Sequence, residues 1–271
     1  MIRRCRLVAE IGSNHLGQLD LARAMVDAAA QAGCDTVKFQ SWRPEKLSRS
    51  FPDYEATFKR HGRTQLTDHA HRELLAYCQD KGVRFLTTCF DLDRVDFLAS
   101  LGLEEIKVAS PDCASVTLIK RLMERFPRLI ISTGMTEDRD VLRTIELTRG
   151  HDVVFLHCVS LYPTPRERVN LARMRWLREQ GVRVGFSDHT MGVEAAMLAV
   201  AEGAEIVEKH FTLSRGLPGK DQTVSGEPDE FKALAGWIAA VGEMTGTPHP
   251  ELSPEEQRLR QLYVGKWGNN A

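Results

Sequence analysis

Short β-rich runs and helix-period runs alternate strictly along this chain, eight of each, and no other feature limits the fold as tightly. Strands that each feed a helix before the next strand begins must lie parallel, because only a crossover connection leaves room for the helix. The strands are expected at residues 7–11 (LVAEI), 36–40 (TVKFQ), 83–88 (VRFLTT), 105–109 (EIKVA), 129–132 (LIIS), 153–157 (VVFLH), 182–186 (VRVGF) and 205–210 (EIVEKH). Helices are expected at 19–32 with Gly33 as the stop, at 68–81 ended by Gly82, and at 92–100, 115–124, 137–148, 171–179, 193–201 and 228–241. Val, Ile and Leu dominate the strands, as they do when both faces of a sheet are covered. Eight such units within about 245 residues predict a single-domain α/β fold, a (β/α)8 TIM barrel over residues 1–245. An open dinucleotide-binding sheet fits less well, since the early turn from Gly12 to Gly17 lacks the G-x-G-x-x-G spacing. Residues 41–67 read as a long polar connection. Residues 246–271 read as a tail, Pro-rich and then charged, with a terminal helix at 254–262 expected to pack on the barrel.

Charge is balanced, with 36 Lys and Arg against 37 Asp and Glu, so there is no basic surplus to hold nucleic acid. No run of about 18 apolar residues offers a membrane span. The first apolar run ends at Glu10, too short for the core of a secretory signal. The six cysteines are scattered singly with no C-x-x-C pair, which fits reduced core thiols in a cytoplasmic protein.

In such barrels the chemistry sits at the C-terminal ends of the strands. All eight ends are polar here: Glu10 with Asn14 and His15, Lys38 with Gln40, Thr87 with Thr88, Lys107 with Ser110, Ser132 with Thr133, His157 with Ser160 and Tyr162, Ser187 with Asp188 and His189, and Glu208 with His210. A rim built only for stability has no need of this. Lys38 and Lys107 are each embedded between apolar strand neighbours, and a buried ammonium requires an anion. That anion is either a carboxylate of the barrel itself or a phosphate or carboxylate of a ligand. Hydroxyls at Thr88, Ser110, Ser132 and Ser187 can donate to an oxyanion without adding charge. His189 and His210 end adjacent strands, and two neutral imidazoles are typical ligands of a divalent metal with positions left open for substrate and water.

Seven segments in order make a more specific pattern: AEIGSNHLG at 9–17, VKFQ at 37–40, STGM at 132–135, HCVSLYPTP at 157–165, FSDHT at 186–190, EKHFT at 208–212 and LPGKDQTVSGEPDEF at 217–231. Together they resemble the sialic acid (N-acetylneuraminate) synthase family, the NeuB-type enzymes, over about residues 7–245. The resemblance implies a barrel that condenses phosphoenolpyruvate with the open-chain aldehyde of a sugar, giving a 2-keto-3-deoxy sugar acid and phosphate, with a divalent metal, usually Mn²⁺. It implies His189 and His210 as metal ligands. It implies Lys38, Gln40, Thr88, Lys107, Ser110, Ser132, Ser160, Tyr162 and Ser187 as substrate-binding positions, and Glu10, Glu208 and Asp221 as the groups that handle protons and the sugar. Typical members carry Asn in some cases where Ser160 stands, and more often Gly where Pro111 stands. They also continue into a small antifreeze-like (SAF) domain that supplies an arginine to the N-acetyl sugar. No such domain follows residue 245 in this sequence, so an acceptor other than N-acetylmannosamine is expected, or a different lid. The 41–67 connection, with Trp42, Phe51, Tyr54 and Phe58 among its basic residues, and a homodimer contact through 263–267 are the two candidates. Two other functions fit the same barrel: a metal-dependent 2-keto acid aldolase or lyase, with Lys107 or Lys38 as a Schiff-base amine, and a non-catalytic binding barrel.

Overall fold

A computed structural model of the protein describes residues 5–246 and 251–268. Eight strands, β1 (Arg6–Gly12), β2 (Thr36–Ser41), β3 (Arg84–Cys89), β4 (Glu105–Val108), β5 (Arg128–Ser132), β6 (Asp152–Cys158), β7 (Arg183–Asp188) and β8 (Ile206–His210), pair in parallel in chain order. β8 returns to β1 from Arg6↔Ile206 to Glu10↔His210, closing the barrel and leaving no open sheet edge. The crossovers carry α1 (Leu19–Gln31), α2 (Tyr54–Thr64), α3 (Asp68–Asp80), α4 (Val95–Ala99), α5 (Val116–Met123), α6 (Asp138–Leu147), α7 (Ala172–Glu179) and α8 (Glu194–Ala201), and β8 is followed by α9 (Pro228–Met244) and α10 (Pro254–Tyr263). α1 shows why these segments are helical. Its buried residues Ala22, Met25, Val26 and Ala29 recur at one-turn spacing and form a single apolar stripe toward the strands.

The pleat sorts each strand into two faces. Outward residues such as Phe39, Phe85, Ile131 and Val207 join the helices in one large core. Inward residues Val8, Leu86, Ile130, Val154, Leu156 and Ile206 form a separate plug inside the barrel. Gly185 keeps β7 close to this plug: a Cβ there would lie 2.4 Å from the Ile206 carbonyl oxygen and 2.6 Å from a Leu156 methyl. Above the plug the inward positions turn polar, and that change of chemistry marks the floor of the site.

The alternation also corrects one strand-end assignment. Asp188 points away from the barrel interior, where its Oδ2 accepts from Lys209 Nζ at 2.9 Å and its Oδ1 from Thr190 N at 2.9 Å. Both side chains of this ion pair are fully buried. The connection expected to be polar loop from 41 to 67 contains α2. Few of its residues are buried, so little apolar periodicity announced it; its anchors are tertiary. Trp42 stacks edge-on against His61, and a Cβ on Gly17 (φ +80°) would lie 1.9 Å from the Arg63 carbonyl oxygen, so α2 ends directly against the β1–α1 turn. The terminal helix forms as α10 through a Ser253–Glu256 capping box, but none of its residues is buried.

Candidate active site

One cavity of about 210 Å³ at the C-terminal end of the barrel gathers Glu10, Lys38, Gln40, Thr88, Lys107, Ser110, Ser132, Ser160, Tyr162, Ser187, His189, Glu208 and His210. Of the residues that the resemblance implies for the site, Asp221 alone does not line it. Asp221 follows β8 beyond the rim, with Ser13 Oγ 3.4 Å from its Oδ2, and acts on the cavity through its charge on His210 and Tyr162. His157 faces outward, its Nε2 donating to the Val169 carbonyl at 2.7 Å. Asn14 ties β1 to the segment after β8 through Phe211 O and Ser225 Oγ, both at 2.9 Å. His15 Nδ1 accepts from Gly17 N within its own turn.

The electrostatics of the floor follow from four buried charged side chains. Lys38 Nζ lies 2.8 Å from Glu10 Oε2 and 3.7 Å from Glu208 Oε2, and it donates to Thr88 Oγ1 at 2.9 Å. Lys107 Nζ donates to Ser132 Oγ at 2.6 Å and to Val108 O at 3.0 Å, with Glu208 Oε1 at 4.0 Å. Ser187 Oγ donates to Glu208 Oε1 at 3.1 Å, and Gln40 Nε2 to Glu10 Oε1 at 2.6 Å. The barrel's own carboxylates thus answer both lysines.

The two carboxyls are driven apart. Burial pushes Glu10 up to about 7, against the pull of Lys38 and with the help of Glu208. Burial acts on Glu208 too, but Lys107, Lys38 and both histidines outweigh it and hold that carboxyl at about 2. Burial lowers the Lys107 ammonium, with Glu208 opposing; at Lys38 Glu10 and Glu208 overcome burial and raise it. A pair of carboxyls split in this way suits one to carry a proton near neutral pH while the other stays a fixed anion.

The histidines stand 5.5 Å apart between ring centroids, with Tyr162 against both at 4.1 and 5.9 Å. His189 Nδ1 donates to the Val159 carbonyl at 2.9 Å, a bond that fixes the tautomer of the neutral ring with the lone pair on Nε2. Burial lowers His210 to about 4, so its ring is neutral, and its Nδ1 is buried without a hydrogen-bond partner. Among the described residues no three His, Cys, Asp or Glu side chains form a complete metal cluster. Against its burial, Cys158, Val159 and Glu208 raise His189, whereas His210 is neutral with its own Nδ1 orphaned. The two adjacent imidazoles nevertheless fit a divalent ion whose other positions go to oxygen from substrate and water.

Two residues, one on the cavity and one packed against its hydroxyls, escaped the strand-end survey because neither is a conspicuous donor. Cys158, read as a core thiol, lies on the cavity with its Sγ 3.7 Å from His189 Nδ1. Gly134 donates its N–H to Ser110 Oγ at 3.1 Å, and a Cβ there would fall 2.4 Å from Ser160 Oγ and 2.8 Å from Ser110 Oγ. Gly134→Ala is therefore expected to push both hydroxyls out of place and lower kcat/KM about 5- to 150-fold, the equivalent of an overpacking cost of about 1–3 kcal/mol. Steady-state kinetics with circular dichroism as the fold control check this, and wild-type kinetics in the variant would contradict it.

A model of the NeuB family matches residues 25–249 of the chain. Among curated proteins, the N,N'-diacetyllegionaminic acid synthase of Campylobacter jejuni is 32% identical, over 98% of this chain and 86% of that protein. The N-acetylneuraminate-9-phosphate synthase of Drosophila melanogaster is 36% identical, over 90% of this chain and 69% of that one. Among solved structures, the N-acetylneuraminic acid (sialic acid) synthetase of Leptospira borgpetersenii, crystallised with citrate, superposes with a TM-score of 0.89 at 30% identity, covering 98% of this chain and 93% of that one.

Proposed function

The chain belongs to the NeuB family, and from that premise we propose that it joins phosphoenolpyruvate to the aldehyde of an open-chain sugar, releasing phosphate and a 2-keto-3-deoxy sugar acid. The observation that carries the proposal is the placing of two buried lysines and a set of hydroxyls in one cavity with a pair of adjacent histidines. Phosphoenolpyruvate bears a phosphate and a carboxylate, so it needs two cationic contacts and several neutral donors, which Lys38, Lys107, Thr88, Ser110, Ser132, Ser160 and Ser187 supply. Gln40 and Tyr162 border the acceptor. C3 of phosphoenolpyruvate attacks the aldehyde carbon and the new C–C bond forms. Water then adds to the cationic C2, and the bond from C2 to the bridging oxygen breaks, so that oxygen leaves with phosphate. His189 and His210 would hold a divalent cation, in our proposal Mn²⁺, which would supply Lewis acidity for activating the aldehyde. Glu10, poised near neutral pH, exchanges the proton, while Glu208 stays ionised and holds the lysines in position. Asp221 contributes at the rim toward the sugar. Among the described residues no helix is long and apolar enough to cross a membrane, and a cytoplasmic homodimer completes the proposal.

The test of function is aldehyde-dependent phosphate release from phosphoenolpyruvate by the purified chain with Mn²⁺. Stoichiometric phosphate and keto acid are expected; phosphate release indifferent to aldehyde would contradict the condensation.

A pH effect follows from the charge count. Two lysines and two ionised glutamates leave the floor neutral, so an incoming multivalent anion raises the pKa of Glu10 further and draws a proton onto it. Binding at pH 8 is expected to take up close to one proton, and affinity to weaken as pH rises above about 7. Calorimetry in two buffers of different ionisation heat reads the uptake, which should vanish in Glu10→Gln. No uptake in the wild type, or unchanged uptake in the variant, would refute the coupling.

A further inference from the structure

A second chamber, of about 250 Å³, opens between the ends of β2 and β3, and it shares Gln40 and Phe90 with the wall of the anion cavity. Trp42 is the largest of its apolar lining side chains. Its Nε1 donates to the His61 carbonyl at 3.2 Å, and its ring meets His61 and Phe90 edge-on at 5.1 and 6.0 Å. Pro44 and Leu47 continue that surface, while the Ser48 side chain stands exposed at the mouth. The charges here cancel in place. Arg43 pairs with Asp91 at 3.6 Å and with Asp93, and Lys46 pairs with Asp93 at 2.6 Å. His61 donates from Nδ1 to Thr57 O at 2.9 Å, and partial burial shifts its ring toward the neutral form. The contrast with the neighbouring cavity is direct: that one holds two buried lysines on its floor, whereas this one has two cations already matched by two carboxylates.

Resting on the condensation proposed above, we infer that this chamber receives the end of the acceptor remote from its aldehyde, and that it takes a neutral substituent with an apolar face, such as an acylamino or methyl group, rather than a phosphate ester. The shared wall makes the two spaces neighbours, so a substrate reacting over the anion floor projects its far end here. An acyl methyl gains by leaving water against Trp42 and Phe90, and its amide meets the hydroxyl at the mouth. A phosphate dianion would lose its hydration beside Asp91 and Asp93 and find no unmatched cation in return.

The experiment compares a 4-acylamino-4,6-dideoxyhexose, whose acyl and methyl groups lie at the end remote from the aldehyde, with a hexose 6-phosphate on the full chain in the presence of phosphoenolpyruvate and Mn²⁺. Aldehyde-dependent phosphate release is one readout. The other is fluorescence quenching at Trp42, taken as the difference between the protein and Trp42→Phe, which needs no turnover. The unphosphorylated sugar is expected to show at least tenfold higher kcat/KM and to quench at lower concentration. Leu47→Arg, which adds an unmatched cation at a half-buried position, should narrow or reverse that preference while leaving the KM for phosphoenolpyruvate within twofold. Equal or better use of the phosphate ester, tighter quenching by it, or a preference untouched by Leu47→Arg would overturn the assignment. Absence of phosphate release with every aldehyde would instead sink the condensation, and the quenching comparison would still decide the chamber.

Discussion

Glu208→Gln is expected to lower the stability of the ligand-free protein by about 3–5 kcal/mol, the cost of removing one partner from a buried ion pair. The reason is its position. Glu208 is the carboxylate shared by Lys38 at 3.7 Å and Lys107 at 4.0 Å, and its neutral isostere leaves two buried ammoniums with Glu10 as the remaining buried anion beside them. Phosphoenolpyruvate brings its own negative charge to the same lysines, so the ligand should stabilise the variant more than the wild type. The pH dependence has a definite sign. The folded carboxyl sits at about 2 against an ordinary value of 4.5, so its contribution is complete above pH 4.5 and is lost as pH falls toward 2. The stability difference between wild type and variant should shrink across that window. Denaturant titrations at several pH values, with and without phosphoenolpyruvate, check this; equal ligand-free stability at pH 7 would contradict it.

Lys107→Met is expected to weaken phosphoenolpyruvate by about 1.5–3 kcal/mol, roughly 10- to 150-fold, because a charge-assisted contact to the anion disappears. Lys38→Met should do the same. Lys107→Met should cost little stability, since Met keeps much of the buried aliphatic stem and removes an ammonium that burial disfavours; Lys38→Met should cost more, because Glu10 and Glu208 stabilise that charge beyond the penalty of its burial. Combined with Glu208→Gln, Lys107→Met should recover part of the stability that the glutamate change loses, as expected for groups that interact directly. Calorimetry with both single variants provides the binding test, and unchanged affinity in both would place the anion elsewhere.

The barrel was legible because every strand and most crossover helices carry their own periodic signal, down to stops such as Gly33 and Gly82. The convergence of the site was legible too, since a parallel barrel brings every strand end to one rim. What escaped were features set by tertiary contact. α2 buries little and depends on Trp42 and on close approach at Gly17, neither of which leaves a periodic trace. Lys209 is a third buried lysine, overlooked although the pleat alone separates it from Glu208 and His210 on either side. Asp188 looked like a site residue for the same reason: it adjoins His189 in sequence but faces the opposite side of the strand. Gly134 contributes empty space, which no donor-and-acceptor reading of a motif detects.

The central claim is the bond that breaks. Phosphoenolpyruvate labelled with ¹⁸O at its bridging oxygen, incubated with the chain, Mn²⁺ and an accepted aldehyde, reports it directly by mass spectrometry of the two products. Condensation with attack of water at C2 predicts the label in the released phosphate and none in the keto acid. Label retained in the keto acid would mean cleavage between phosphorus and oxygen, and would contradict the mechanism derived from this cavity.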